Sequence, residues 1–330
     1  MPAVDGLRGI AILLVLWYHA PFVFRHLPQF ADQHNLWASL GPFWVMSLGG
    51  WIGVDLFFVV SGFLITLILL RVRSMSGSLI AFWKRRALRI LPLAGLYLVA
   101  LGVLVTLGDP LHILPNFNGW AWYAFYLGNI HIALYGWQPL AVMILWSLAI
   151  EEQFYLVWPC LVRMYNARHV LVSSIGLILL APLIRACIFA TADYPATYVF
   201  TLCRLDALAC GAVIAVLYSS TDSQSMLIES CKRLRIPALA VIVITLLVPF
   251  SPSFPQTRPW LFTVFGYSLL AVSFAVLLAA SLGTEGPIKR LLTSRLLTFL
   301  GKRCYGLYLW HVLAAGLTAT ALERWDNGFY

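Results

Sequence analysis

Long apolar runs recur from one end of the chain to the other, most of them close to the ~20 residues that a helix needs to cross a hydrocarbon core of roughly 30 Å. They predict helices near residues 7–25, 50–70, 89–107, 119–135, 141–162, 170–190, 198–218, 237–250, 260–282 and 303–322. The connectors are short and polar or rich in proline, as in Ser251 to Pro259 (SPSFPQTRP), and read as loops. None leaves room for a soluble domain. The expectation is one all-α, polytopic membrane bundle over residues 1–330, with nine to ten transmembrane helices. The run at 119–135 (WAWYAFYLGNIHIALYG) is short and aromatic and contains Asn129 and His131, which suits a re-entrant or interfacial element.

Composition supports this reading. Only 11% of residues are charged and mean hydropathy is +0.86, against about 25% charged in an average soluble domain. The net charge of +9 has no soluble basic face on which to meet nucleic acid and reflects topology instead, though a cluster of cations can also hold an anionic cosubstrate; the expected partner is membrane lipid. Lys and Arg accumulate in cytoplasmic loops. Here they cluster at Arg71 to Arg89, at Arg163 and Arg168, at Lys232 to Arg235, and at Lys289 to Arg303. The connectors holding Asp32, Asp109, Asp193 and Pro252 are poor in both. If the clusters are cytoplasmic, so is the N-terminus. Ten full crossings would put the later clusters outside. If 119–135 enters and leaves on one side, parity is restored with nine crossings and an outer C-terminus. The first run lacks a basic leader or an A-x-A cleavage site and reads as an uncleaved helix. The six cysteines form no CxxC pair, and no His or Cys spacing suggests a metal site. His26, His34, His112 and His169 read as loop residues.

Each ionisable group at membrane depth costs about 2.5–3.5 kcal/mol on insertion scales and therefore demands a reason. Arg8 and His19 lie eleven residues apart, about 1100° of helical rotation, so they share a face with a rise of roughly 16 Å between them. His19 is then either a helix–helix hydrogen bonder or a general base on a polar path. In GWIGVDLFFVVSGFLIT, Asp55 can orient a histidine or pair with an arginine, and Ser61-Gly62 permits close backbone approach. FWKRRALRILP crowds Lys84, Arg85, Arg86 and Arg89 at a helix start. They form either a topology anchor or a grip on phosphates, for which guanidinium forks are suited.

LWSLAIEEQFYLVWP brings Trp146, Ser147, Glu151, Glu152, Phe154 and Tyr155 to the outer end of a helix. Adjacent carboxylates point about 100° apart, so at most one should face a common cavity, and Glu151, one turn after Ser147, is the better candidate. Arg204 and Asp206, with Arg185 on the preceding helix, suggest either an Arg–Asp network or lining groups. Tyr305 and Tyr308 share a face beside His311, as an aromatic belt or as a sugar platform.

Taken in order, DGLRGIAILLVLWYH, GVDLFFVVSGFLIT, RRALRILP, WSLAIEEQFYLVWP, RLDALACG and YGLYLWH resemble the motifs of the acyltransferase-3 family, bacterial membrane O-acyltransferases, over nearly the whole chain. The resemblance implies a cytoplasmic acyl-CoA donor, most commonly acetyl-CoA. It also implies a carbohydrate-type acceptor hydroxyl on the outer side of the inner membrane, such as a lipopolysaccharide, exopolysaccharide or peptidoglycan sugar. It casts His19 as catalytic base and Arg8 as its basic partner, with Asp55 and Glu151 at the same centre. Arg85, Arg86 and Arg89, with Lys84, become the site for the cosubstrate's phosphates. Ser61, Trp146, Tyr155, Arg204, Asp206, Tyr308 and His311 become lining residues, and no metal is implied. Two departures from the family are expected: its final helix, after the YLWH-type segment, is missing, and no esterase-like soluble domain is fused. Other function classes remain. A transporter of an anionic or acylated solute would use the same buried charges, but no internal repeat is present. A polysaccharide-export scaffold would not need Arg8 or His19.

Overall fold

The computed structural model describes residues 1–24, 47–75, 77–111, 113–114, 117–192, 194–247 and 259–327. Among these residues every regular element is helical. In chain order the helices are α1 (Pro2–Phe24), α2 (Ile52–Val72, preceded by a 3-10 turn at Leu48–Trp51), α3 (Ser78–Thr106), α4 (Trp120–Ala124), α5 (Gly128–Tyr135), α6 (Leu140–Met143), α7 (Leu145–Met164) and α8 (Ala167–Phe189). They continue with α9 (Tyr194–Val199), α10 (Leu205–Ser219), α11 (Thr221–Leu247), α12 (Tyr267–Leu282, entered through a π turn at Phe262–Gly266), α13 (Gly286–Leu292) and α14 (Arg295–Asn327). Six helical runs among the described residues are long and apolar enough to span a membrane: Pro2–Pro21, Leu48–Val72, Ser78–Thr106, Leu140–Met164, Ala167–Phe189 and Phe262–Leu282.

Several helices start earlier than hydropathy predicts. α3 begins at Ser78 rather than 89, α11 at Thr221 rather than 237, and α14 at Arg295 rather than 303. The added turns are charged and polar, such as TDSQSMLIESCKRLR at the start of α11. A helix can run beyond its apolar span into solvent, and apolar length alone does not see that part. The run predicted at 198–218 begins only at Leu205, because α9 and a 3-10 turn at Thr201–Cys203 occupy its first part. His169 is not in a loop: it sits in the first turn of α8, where Asn166 caps the helix and accepts from its backbone N–H at 3.0 Å. His26, His34 and His112, and the connectors at Asp32, Asp193 and Pro252, lie outside the described residues.

Residues 119–135 do not form one spanning helix. α4 and α5 are separated by a turn in which Tyr126 takes φ 56°. The turn is held from α7, where the Gln153 amide donates to the Tyr126 carbonyl and to Asn129 Oδ1, each at 2.9 Å. Asn129 in turn donates to Thr201 at 2.8 Å and to the Val199 carbonyl at 3.2 Å. Irregular backbone at membrane depth is tolerated where protein satisfies its polar groups, and this cluster does so.

Two close helix pairs set the architecture. α1 and α14 run side by side in the same direction, so that Arg8 comes level with Cys304 and His19 with His311. Glycine makes the approach possible, since a Cβ on Gly301 would strike the Asp5 carbonyl and one on Gly9 the Leu297 carbonyl. α2 and α10 are likewise parallel, with Gly62 against the Leu208 backbone and Gly211 against that of Val59. Small residues of this kind are what let membrane helices pack backbone to backbone. The basic clusters gather at one end of the bundle. Arg71, Arg73 and Arg168 line one hollow with Ser219 and Ser220, Arg163 donates to the Met75 carbonyl at 3.2 Å, and Lys232 neighbours Gly283 at the end of α12.

Candidate active site

A cavity of about 150 Å³ lies between α1, α2, α3, α7 and α14. One part of its wall is cationic, from Arg8 on α1 and Arg86 and Arg89 on α3. Another is apolar and aromatic, from Val54, Phe57 and Phe58 on α2 with Tyr305 and Tyr308 on α14. Ser61, Ser147, Glu151, Glu152 and Cys304 complete the polar wall.

Glu151 is central to the charge balance. Arg86 and Arg8 are the cations that act on it, and Ser61 and Tyr155 lie beside it. Ser61 and Tyr155 are also hydrogen-bonded to each other. The Arg86 guanidinium stacks 3.7 Å above the Tyr155 ring, and Trp83 Nε1–H donates to the Tyr155 carbonyl at 2.9 Å, so Arg86 is held on a braced aromatic face. Both adjacent carboxylates line the cavity, contrary to the expectation that only one would. The cavity is broad enough around α7 to take in side chains 100° apart, and Glu152 faces the part near Tyr126 and Tyr305.

At the Ser147 end, Ser147 donates to the Tyr308 hydroxyl at 2.7 Å, which itself donates to the Ile144 carbonyl at 2.8 Å. One turn beyond Tyr308, outside the cavity wall, His311 and His19 face each other with ring centroids 4.9 Å apart. His19 is only 8% exposed. Each ring bonds a carbonyl of its own helix through Nδ1, His19 to Val15 at 2.9 Å and His311 to Tyr308 at 2.6 Å. A carbonyl only accepts, so in each neutral ring Nδ1 carries the hydrogen and Nε2 the lone pair.

The other predicted residues fall elsewhere. Lys84 and Arg85 are exposed and outside the cavity wall, so of the four basic residues expected at the phosphate site only Arg86 and Arg89 line it. Asp55 pairs with Arg204, and Arg185 with Asp206 at 2.9 Å, in a cluster with almost no solvent exposure. That is the Arg–Asp network reading, and none of the four lines the cavity. Arg204 lies among the faces of Tyr267, Tyr198 and Phe58 at 4.5, 5.1 and 5.8 Å, and Ser268 donates to Asp206 at 2.6 Å. Trp146 packs on Phe58 and Tyr198, and Phe154 stacks on Trp158. Sequence reasoning left Cys304 without a role, yet it lies beside Arg8 on the cavity wall. Its signal was periodicity: Cys304, Tyr308 and His311 recur at helical spacing along α14. Among the described residues no group of His, Cys, Asp or Glu is arranged to hold a metal ion.

The acyltransferase-3 domain model, described as an acyltransferase domain, matches residues 1–329. The chain belongs to the acyltransferase-3 family. YrhL of Bacillus subtilis, provisionally named a peptidoglycan O-acetyltransferase, is 32% identical over 351 residues, covering 100% of this chain and 51% of that protein. The peptidoglycan O-acetyltransferase OatA of Listeria monocytogenes is 28% identical, covering 98% of this chain and 50% of that protein. The O-acetyltransferase OatA of Staphylococcus aureus is also 28% identical, at 94% and 50%. The chain therefore spans about half the length of these relatives. No solved structure matches it.

Proposed function

We propose that this acyltransferase-3 chain moves an acyl group, acetyl by its relatives' names, from cytoplasmic acyl-CoA to a hydroxyl of a cell-wall carbohydrate, with peptidoglycan the acceptor class those names suggest. The bundle sits in the inner membrane with its basic end and N-terminus cytoplasmic, which follows from the positive-inside rule applied to the gathered clusters. The observation that carries the reading is the cavity that joins Arg8, Arg86 and Arg89 to Ser147 and Tyr308, one turn from the His19–His311 pair.

In this reading Arg86 and Arg89 hold the cosubstrate's phosphates, and the apolar wall of Phe57 and Val54 accepts its thioester arm. His19 Nε2 takes the proton from the acceptor hydroxyl, whose oxygen attacks the thioester carbonyl. The C–O bond forms, the C–S bond breaks, and the sulfur leaves with the electron pair and takes up a proton. General-base help of this kind is worth about 10²–10⁴ in rate. Arg8, at the level of Cys304, offers positive charge along the same path. Asp55 and Arg204 hold α2 against α10 and support the wall from behind.

The direct test is transfer of labelled acetyl from acetyl-CoA to peptidoglycan fragments by the purified protein in proteoliposomes. Labelled ester on the glycan is the expected product. Uptake of a solute with no thioester consumed would replace this reading with a transporter.

A further inference from the structure

Building on the acyl-CoA reading, we propose that His311 is a second catalytic histidine. It receives the acceptor's proton from His19 and delivers it to the departing thiolate.

Four observations converge on it. The rings of His19 and His311 lie 4.9 Å apart at 52°, on two parallel helices that glycine contacts hold together. Both rings carry hydrogen on Nδ1 and the lone pair on Nε2, because each Nδ1 is spent on a carbonyl of its own helix. Neither Nδ1 therefore stitches α1 to α14, which is the work a purely structural pair would do. His311 Nε2 is also buried with no hydrogen-bond partner among the described residues. An unmet buried acceptor is costly and calls for a use. The carbonyl that pins His311 belongs to Tyr308, which lines the cavity. Of the two rings, His311 is thus the one tied to the cavity through which the donor arrives.

The balance is complete without another reactant. The acceptor O–H proton passes to His19 Nε2 as the C–O bond forms. The imidazolium hands it to His311 Nε2, and His311 gives it to sulfur as the C–S bond breaks. Both rings return to their starting tautomers, and the products are the ester and free CoA thiol.

The test compares acetyl-CoA turnover by wild type, His311→Gln and His311→Asn in nanodiscs with a glycan acceptor. Both amides keep a hydrogen-bonding side chain but cannot take up a proton and pass it on. The expected result is kcat lowered about 100-fold, with KM for acetyl-CoA and melting temperature within error of wild type. Near-normal kcat in either amide variant overturns the proposal, as does a loss matched by a lower melting temperature. A second readout needs no variant: wild-type kcat in H₂O–D₂O mixtures should follow a curve for more than one proton in flight, and a straight line overturns the relay. Failure of the wild type to turn over acetyl-CoA at all would instead overturn the donor reading on which this one stands.

Discussion

The two groups of charge set in the apolar helices of this protein look alike along the chain and differ in space. Asp55, Arg185, Arg204 and Asp206 form two ion pairs with almost no exposure. Each charge is met by an opposite one. Arg8, Arg86, Arg89, Glu151 and Glu152 instead share an open cavity in which three cations face two carboxylates. A matched pair has no charge left for a ligand and holds helices together. A surplus of cations on a cavity wall is an invitation to an anion. Charge at membrane depth is thus a poor guide to function until its partner is known.

The sharpest way to break this division is at the histidine beyond the cavity. His19→Ala should lower acetyl transfer by about 10²–10⁴ with unchanged melting temperature, measured as product ester per folded protein. Substitution in the locked group should do the reverse. Asp55→Ala leaves Arg204 buried without its partner, which costs about 3–5 kcal/mol. A lower melting temperature in detergent is expected, with donor affinity unaltered in the fraction that stays folded. Unchanged melting would place Asp55 with the chemistry instead. On the cavity wall, Arg86→Ala and Arg89→Ala should each weaken acetyl-CoA binding about 10- to 100-fold, the worth of a charge-assisted hydrogen bond of roughly 1.5–3 kcal/mol, with stability little affected. The smallest effect belongs to Lys84→Ala and Arg85→Ala. Both residues are exposed off the cavity wall, and binding should shift by less than about threefold, within ~0.5 kcal/mol. A tenfold loss at Arg85 would mean that the phosphate site extends over the outer face of α3.

Much of the architecture was legible because the bilayer makes hydropathy a strong signal. Residues 119–135 were set apart as a re-entrant or interfacial element by their short length and by Asn129, and the structure divides them between α4 and α5. Ser61-Gly62 was read as a point of close approach, and Gly62 does meet the Leu208 backbone. Partner choice was not legible. The spacing of Asp55, Arg204 and Asp206 allowed lining groups as readily as a network, because a pair between α2 and α10 depends on how two helices cross, not on either sequence alone. The same limit hid the facing of His19 and His311, which rests on the register of α1 against α14. It also concealed the second lining carboxylate, Glu152, since an argument from helical angle assumes a narrow cavity. The polar starts of α11 and α14 escaped because an apolar run marks where a helix is buried and says little about where it begins.

The central claim is that the open cavity, not the locked ion pairs, delivers an acyl-CoA thioester to His19. The most direct test is release of CoA thiol from acetyl-CoA by the protein in nanodiscs with a soluble glycan acceptor, comparing wild type, His19→Ala and Arg86→Ala. The account predicts thiol release by wild type, none above background for His19→Ala at any donor concentration, and recovery of Arg86→Ala at high donor concentration. Equal thiol release by wild type and His19→Ala would contradict it.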